Sequence, residues 1–305
     1  MTNVILHHYA TSPYSEKVRL ALGYKGMAWR SVTIPLVMPK PDLIALTGGY
    51  RKTPVMQIGA DIYCDTACIL RELERRHPVP SLYPVRGLTD ALANWAETKM
   101  FSNAVGAVFA YEGEQIPQAF REDRTKFLGR DFNLQRIRAA LPYMLDQLRA
   151  CLDHLDGMLA DSRAFLLAAT PSAADLAAYH PLWFIVLRLG RPIAPLADYP
   201  RVLAWMERVK AIGHGSFTDL RSDEAVQIAR GSTPAVAQHT DAADPAGRKP
   251  GDRISVCPDD TGRDPVVGEL VACDAQEVII RREDDRAGTL HVHFPRLGFS
   301  VMTAP

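Results

Sequence analysis

Apolar and polar positions repeat with two different periods along this chain, and the change of period divides it. Residues 4–8 (VILHH) form a short apolar run of strand character, followed by the turn ATSP. Residues 14–24 then place Val18, Leu20, Ala21 and Leu22 at helical spacing, with Glu16, Lys17, Arg19 and Lys25 expected to face outward. Trp29 to Leu36 reads as a second strand, because Val32 and Ile34 alternate with Ser31 and Thr33. Lys40-Pro41-Asp42 opens a short helix that Thr47-Gly48-Gly49 stops. Two brief strands, Val55 to Ile58 and Ile62 to Cys64, are joined at Gly59-Ala60-Asp61, and a helix runs from Thr66 to Arg76 before Pro78. This order predicts a small α/β unit over residues 1–82, whose first two strands a right-handed crossover makes parallel.

After Pro84 the period becomes helical throughout, which marks an all-α unit over residues 88–228. Leu92, Trp95, Ala96, Met100 and Phe101 predict one helix over Asp90–Tyr111, and a long pattern from Arg124 to Ala160 is expected to kink at Pro142. Ser172-Ala-Ala-Asp175 has the form of a capping box with Asp in place of Glu, opening a helix through Leu189. Pro200 starts another, over Tyr199–Lys210. Residues 229–250 are small, polar and turn-rich, as in a flexible linker. Beyond them, alternating runs at Arg253 to Cys257, Val266 to Ala272, Glu277 to Arg282 and Thr289 to Phe294 predict short strands. They suit a small β-barrel-like unit over residues 251–305.

Composition narrows the function. Lys+Arg and Asp+Glu both number 35 among 305 residues, so no basic field draws the chain to nucleic acid or an anionic membrane. The start MTNVILHHYA lacks the form of a signal peptide, and the apolar stretch Pro181–Leu189 is too short to span a bilayer. Five scattered cysteines make no disulfide framework, and the chain reads as cytoplasmic and reduced.

Three polar clusters carry chemistry. Ser12-Pro13-Tyr14-Ser15 lies where the first strand passes into the first helix, beside unpaired backbone N–H groups and the positive end of the helix dipole. That setting suits an anion such as a thiolate, although a serine there also serves as a plain N-cap. In Lys52-Thr53-Pro54-Val55, a cis bond before Pro54 would turn the Thr53 backbone N–H and C=O toward an extended peptide. An ordinary trans proline at a strand start is the alternative. Asp65-Thr66 opens the next helix, where free N–H groups can hold a carboxylate and Asp65 can meet an ammonium group. Together they describe a tripeptide with a thiol in its middle and an amino-acid head at one end.

Here the chain resembles a known family. SPYSEKVRLAL, RKTPV and DTACIL, in that order, look like the N-terminal domain of the cytosolic glutathione transferases. FLLAATPSAADLAAYHPLW and YPRVLAWMERV resemble that family's helical domain. The resemblance implies a thioredoxin-like α/β domain followed by an all-α domain, with the C-terminal strands as an addition. It implies glutathione as co-substrate, a small electrophile as second substrate, a homodimer and no metal. Carried over, Ser12 donates its hydroxyl to the sulfur, Thr53 before a cis Pro54 binds the cysteinyl backbone, and Asp65 and Thr66 grip the γ-glutamyl end. Lys52 meets the glycyl carboxylate, with Lys40 as a second candidate. Ser15 and Tyr9 compete with Ser12 as activator of the thiol. Serine at both 12 and 15 leaves disulfide exchange through this turn without a nucleophile. A glutathione-dependent isomerase of the zeta type and a non-catalytic glutathione-binding scaffold are the alternatives.

Other features read as structural. Cys64 and Cys68 fit buried core positions. His7 and His8 lie on the first strand with opposite faces, and His291 and His293 share a face without a third metal ligand. Trp95, Phe101, Trp183 and Trp205 suit a core, and Phe109 and Tyr111 are candidates to line an acceptor pocket.

Overall fold

The computed structural model describes residues 4–237 and 244–304; residues 238–243 of the expected linker lie outside them. β1 (Val4–His8) and β2 (Trp29–Thr33) pair in parallel across α1 (Pro13–Tyr24), as the crossover requires. α2 (Pro41–Thr47) stops at Gly48, which adopts the left-handed conformation. β3 (Val55–Ile58) and β4 (Asp61–Cys64) then pair antiparallel, and α3 (Thr66–Arg76) follows.

The helical part begins with α4 (Arg86–Trp95) and α5 (Phe101–Glu112), with the π-helical turn Ala96–Met100 between them. The single expected helix is thus widened by a turn at Glu97. α6 (Gln118–Leu128), α7 (Leu134–Ala139) and α8 (Leu141–Met158) occupy the long pattern predicted to kink at Pro142. The correction has a simple cause. Pro142 lies in the first turn of α8, where a missing N–H costs nothing, so it starts a helix instead of bending one.

α9 (Ala173–Leu189) carries the expected capping box in reciprocal form. Asp175 accepts from the Ser172 backbone at 2.9 Å and from its hydroxyl at 2.6 Å. The same carboxylate accepts from Leu166 N at 2.8 Å and Trp205 Nε1 at 2.9 Å, which ties α9 to α10 (Pro200–Lys210). β5 (Phe217–Asp219) returns to the sheet parallel to β2, and α11 (Ser222–Arg230) buries Ala225, Val226 and Ala229 against α2. Residues 217–230 thereby join the α/β unit in space.

The strand-rich C-terminal region comprises β6 (Arg253–Pro258), β7 (Val266–Cys273), β8 (Glu277–Asp284), β9 (Gly288–Pro295) and β10 (Phe299–Thr303). These strands belong to one ten-stranded sheet with the first five, in the order β10-β6-β7-β8-β9-β4-β3-β1-β2-β5. The join is the parallel pairing of β9 with β4, which matches Ile62 with Val292 and Tyr63 with His293. An exposed edge strand of the α/β unit is covered in this way.

Side chains alternate along each strand and so feed two cores. Val4, Leu6, Met56 and Tyr63 pack with α1, α3 and the helical part. Ile5, Val32, Val55 and Ile62 pack on the other face with Leu43, Leu46 and Val226, and with Ile254, Val292 and Phe294 from the C-terminal strands. Each such fully buried residue contributes about 1.5–3 kcal/mol.

α1 departs from expectation. Glu16, Lys17, Arg19 and Lys25 are all buried, because α1 lies between the sheet and the helices α3 and α9. Each charge therefore meets a partner indoors: Lys17 with Glu97, Arg19 with Glu16 at 2.7 Å, and Lys25 with Glu74 and the Pro80 carbonyl. Ion pairs restore the amphipathicity that burial removed.

Candidate functional site

Ser12 caps α1 from an extended conformation, 2% exposed, and its hydroxyl oxygen accepts from Ser15 N at 3.2 Å. Capping uses only a lone pair, so the hydroxyl proton stays free to be donated outward. Pro13 at the first helical position has no N–H of its own, which leaves the cap to the amide of Ser15. The Ser15 hydroxyl is fully buried and has no hydrogen-bond partner. Tyr9, at the end of β1, packs against the second core, with Lys40 Nζ 5.8 Å from its ring centroid.

The Thr53-Pro54 bond is cis. Thr53 Oγ1 accepts from Lys40 Nζ at 3.3 Å, and Lys40 is itself buried. Burial, with Arg124 and Arg51 nearby, lowers the Lys40 ammonium to about 8. Lys52 points elsewhere, pairing with Asp260 on the β6–β7 segment, 5.9 Å from the Phe299 ring. The two candidate lysines thus diverge, and Lys40 is the one that touches Thr53.

Asp65, not Thr66, is the N-cap of α3: its Oδ1 accepts from Ala67 N at 2.9 Å. It holds φ 75° with ψ 143°, outside the left-handed helical region and strained for any residue with a side chain. Burial and the nearby Glu97 push its carboxyl upward, against the Ala67 N–H and Lys52. Thr66 is the first helical residue, and its hydroxyl accepts from Lys17 Nζ at 3.0 Å.

Beneath this row lies a group that no motif announced. Lys17 Nζ also binds Glu97 at 2.5 Å. Burial raises the Glu97 carboxyl, but the Lys17 ammonium bound to it outweighs burial and holds it at about 2. His180 Nε2 stands 3.8 Å from Glu97, and neither ring nitrogen makes a hydrogen bond. Its ring packs against Tyr14 of α1, with centroids 4.7 Å apart and planes tilted by 42°. A lysine on the apolar face of α1 was the available signal: Val18 and Ala21 flank it within one turn.

The rim is cationic. Arg51 binds Asp123 of α6 at 3.0 Å, and Arg124 lies over the rings of Phe120 and Phe127 at 4.7 and 5.0 Å. The Nε atoms of both arginines are buried without a hydrogen-bond partner. Phe109 packs edge-on against Phe120, Phe132 and Phe184, while Tyr111 lines a separate cleft with Leu189, Arg191 and Ile193. The two candidate pocket-lining residues are therefore not brought to one place.

The discounted residues take structural positions. Cys64 and Cys68 are buried thiols that burial pushes well up. His7 binds Gln57 at 2.8 Å, and His8 binds Ser31 and Arg19 on the opposite face of β1. His293 bridges Asp61 and Glu277, and His291 lies 3.9 Å from Asp61. Among the described residues no group of three His, Cys, Asp or Glu comes together as a metal site, and no helix is long and apolar enough to cross a membrane.

Known proteins share this fold. Residues 6–81 match the family description "Glutathione S-transferase, N-terminal domain" and residues 108–208 match "Glutathione S-transferase, C-terminal domain". A GST-like protein from Pseudomonas syringae is 43% identical with a TM-score of 0.78, and the match covers 100% of both chains. Glutathione S-transferase theta-1 of Bos taurus is 26% identical over 200 residues, 64% of this chain and 75% of that protein. A glutathione S-transferase from Rhodospirillum rubrum, 22% identical, shares the fold over 68% of this chain and 88% of its own, with a TM-score of 0.53. The Pseudomonas protein matches along the whole length, C-terminal strands included; the other two stop short of it.

Proposed function

The chain belongs to the cytosolic glutathione transferase family, and from that premise we propose that it activates glutathione through Ser12 for attack on an electrophilic small molecule. The observation that carries this reading is the Ser12 hydroxyl. It sits at the α1 N-terminus with its oxygen engaged by Ser15 N and its proton unassigned.

Glutathione lies along the row from Lys40 to Asp65. Thr53 pairs with its cysteinyl backbone, Lys40 and Lys52 meet its glycyl carboxylate, and Asp65 with the α3 N-terminus receives the γ-glutamyl head. A free thiol titrates at about 8.5, so only a few per cent is thiolate at pH 7. The Ser12 O–H and the α1 dipole both favour the anion, and each tenfold gain in thiolate needs about 1.4 kcal/mol. The thiol proton passes to bulk water, the sulfur lone pair forms a C–S bond to the electrophilic carbon, and the displaced electron pair leaves with a halide or, in an addition, takes a proton from water. No general base is required. Ser15 is less suited, since its hydroxyl is sealed inside α1 packing.

Ser12→Ala is expected to retain the fold, losing about 1 kcal/mol as a cap. Its turnover of a panel of electrophiles falls about 10- to 100-fold, the value of a hydrogen bond to a charged group. Unchanged turnover in that variant, with Ser15→Ala or Tyr9→Phe inactive instead, reassigns the role. Glutathione binding with no turnover of any electrophile by the wild type favours the scaffold reading. The isomerase reading is favoured by Lys40, Arg51 and Arg124, which suit a small dicarboxylate; assaying one for glutathione-dependent isomerisation separates it. The working unit in this reading is a cytoplasmic homodimer. Exposed Val79, Val85 and Leu88 around the start of α4 suit such a contact, and sedimentation of the purified chain checks it.

A further inference from the structure

Residues 259–265, between β6 and β7, link three parts of the molecule. Asp259 N donates to the Gly298 carbonyl at 3.0 Å within the C-terminal strands, and Gly262 N donates to the Phe127 carbonyl on α6 at 2.8 Å. A Cβ on Gly262, which has φ +62°, would stand 2.7 Å from the Phe127 ring, so the segment is seated closely on α6. Within the same segment, Asp260 Oδ1 lies 2.5 Å from Lys52 Nζ, and Asp264, two residues past Gly262, lies 3.7 Å from Arg51. Arg51 and Lys52 are the two residues that lead into Thr53 and the cis Pro54.

The pair Lys52–Asp260 has the chemistry of an occupied subsite. A lysine beside Thr53 is where a ligand carboxylate is expected, and a carboxylate from the chain's own C-terminal strands already stands on it. The pair is open to exchange: the Asp260 side chain is 59% exposed and that of Lys52 20%. Water-exposed ion pairs hold weakly, so an incoming carboxylate with further contacts of its own can take the lysine. Lys40 differs, being buried against Thr53 with no carboxylate within salt-bridge distance among the described residues.

We propose that Asp260 is a specificity-determining residue of the glutathione site, holding Lys52 as an internal stand-in for the glycyl carboxylate until the ligand displaces it. The inference rests on the reading of this row as a glutathione site. It gives the C-terminal strands a part in ligand selection: a ligand without a terminal carboxylate cannot exchange with Asp260.

The test uses the full chain and two ligands, reduced glutathione and its C-terminal amide, titrated calorimetrically. Asp260→Asn is expected to bind glutathione about three- to fivefold more tightly than the wild type, the value of an exposed ion pair, with the amide unmoved. Asp264→Asn, which touches Arg51 instead, is expected to keep the wild-type ratio of the two affinities. If Asp260→Asn leaves glutathione affinity unchanged or weakens it, or shifts both ligands alike, the segment is a structural clasp and the inference falls alone. If neither the wild type nor Asp260→Asn binds glutathione, the reading of the site falls and takes the inference with it.

Discussion

Two seams of this molecule each set an enclosed histidine beside acidic side chains, and the two histidines are shifted in opposite directions. Under the candidate site, Lys17, Glu97 and His180 join α1 to the helical part. At the other end of the sheet, Asp61, His293 and Glu277 join β4 to β9 and β8. His180 is lowered, first by burial, and makes no hydrogen bond; Lys17 already pairs with Glu97, the carboxylate at 3.8 Å from its ring. His293 is equally enclosed, yet two carboxylates at 3.1 and 2.9 Å outweigh burial and raise it to about 9. Burial does not decide the protonation of a histidine by itself. The count of unbalanced carboxylates within reach does.

That comparison can be broken, beginning with its strongest contact. Lys17→Met leaves Glu97, 21% exposed, with a neutral imidazole as its nearest partner, and is expected to cost about 3–4 kcal/mol in denaturant unfolding, less than a fully enclosed charge because water still reaches it. The Thr66 hydroxyl loses its donor in the same variant, so glutathione affinity is expected to fall with stability. A cost below about 1 kcal/mol would show that Glu97 takes up a proton without penalty.

His293→Gln at the β seam comes next, at about 2–3 kcal/mol, reduced because Glu277 is 36% exposed and partly served by water. The pH dependence sharpens the contrast. The folded pKa of His293 is raised, so its contribution is complete below the unfolded value of 6.5 and is lost as pH rises through about 9. The folded pKa of His180 is lowered, so its contribution is present above 6.5 and is lost as pH falls, the unfolded chain taking the proton. Unfolding free energies from pH 5 to 10 are therefore expected to decline at both ends, with His293→Gln flattening only the alkaline limb. An alkaline decline that survives this substitution would assign it elsewhere.

The smallest effect belongs to His180→Phe. Its nitrogens have no partners to lose, and its neighbours Tyr14 and Phe101 are aromatic. The expected change is within about 1 kcal/mol of zero, because exchanging an unsatisfied polar ring for an apolar one of similar size is close to neutral. A loss of more than about 3 kcal/mol would reveal a hydrogen bond that the ring makes in solution.

Much of this was legible in local patterns. An apolar run at residues 4–8 and alternation within residues 29–36 placed the strands, Ser172 with Asp175 placed a cap, and glycine at 48 placed a helix end. Each depends on neighbours within a few residues. Pro142 was misread because a proline that starts a helix and one that kinks a helix look alike until the preceding turns are known. Phe299–Thr303 and Phe217–Asp219 carried too little alternation to stand out, and became strands through their partners β6 and β2.

By itself the sequence determined the order of elements and the positions of Ser12, Thr53-Pro54 and Asp65-Thr66 at the starts of α1, β3 and α3. Caps, prolines and periodicity act over one or two turns, so no distant contact was needed. Tertiary structure decided which charges went inside. α1 has the same pattern whether its second face meets water or α9, and only the packing of α9 drew Lys17 beneath Thr66. It also decided the surroundings of each candidate lysine. Lys40 and Lys52 are equivalent as text, but one is enclosed beside Thr53, while the other is claimed by an aspartate 208 positions away. A chain cannot announce such a contact locally, because its energy exists only once two cores have brought the segments together.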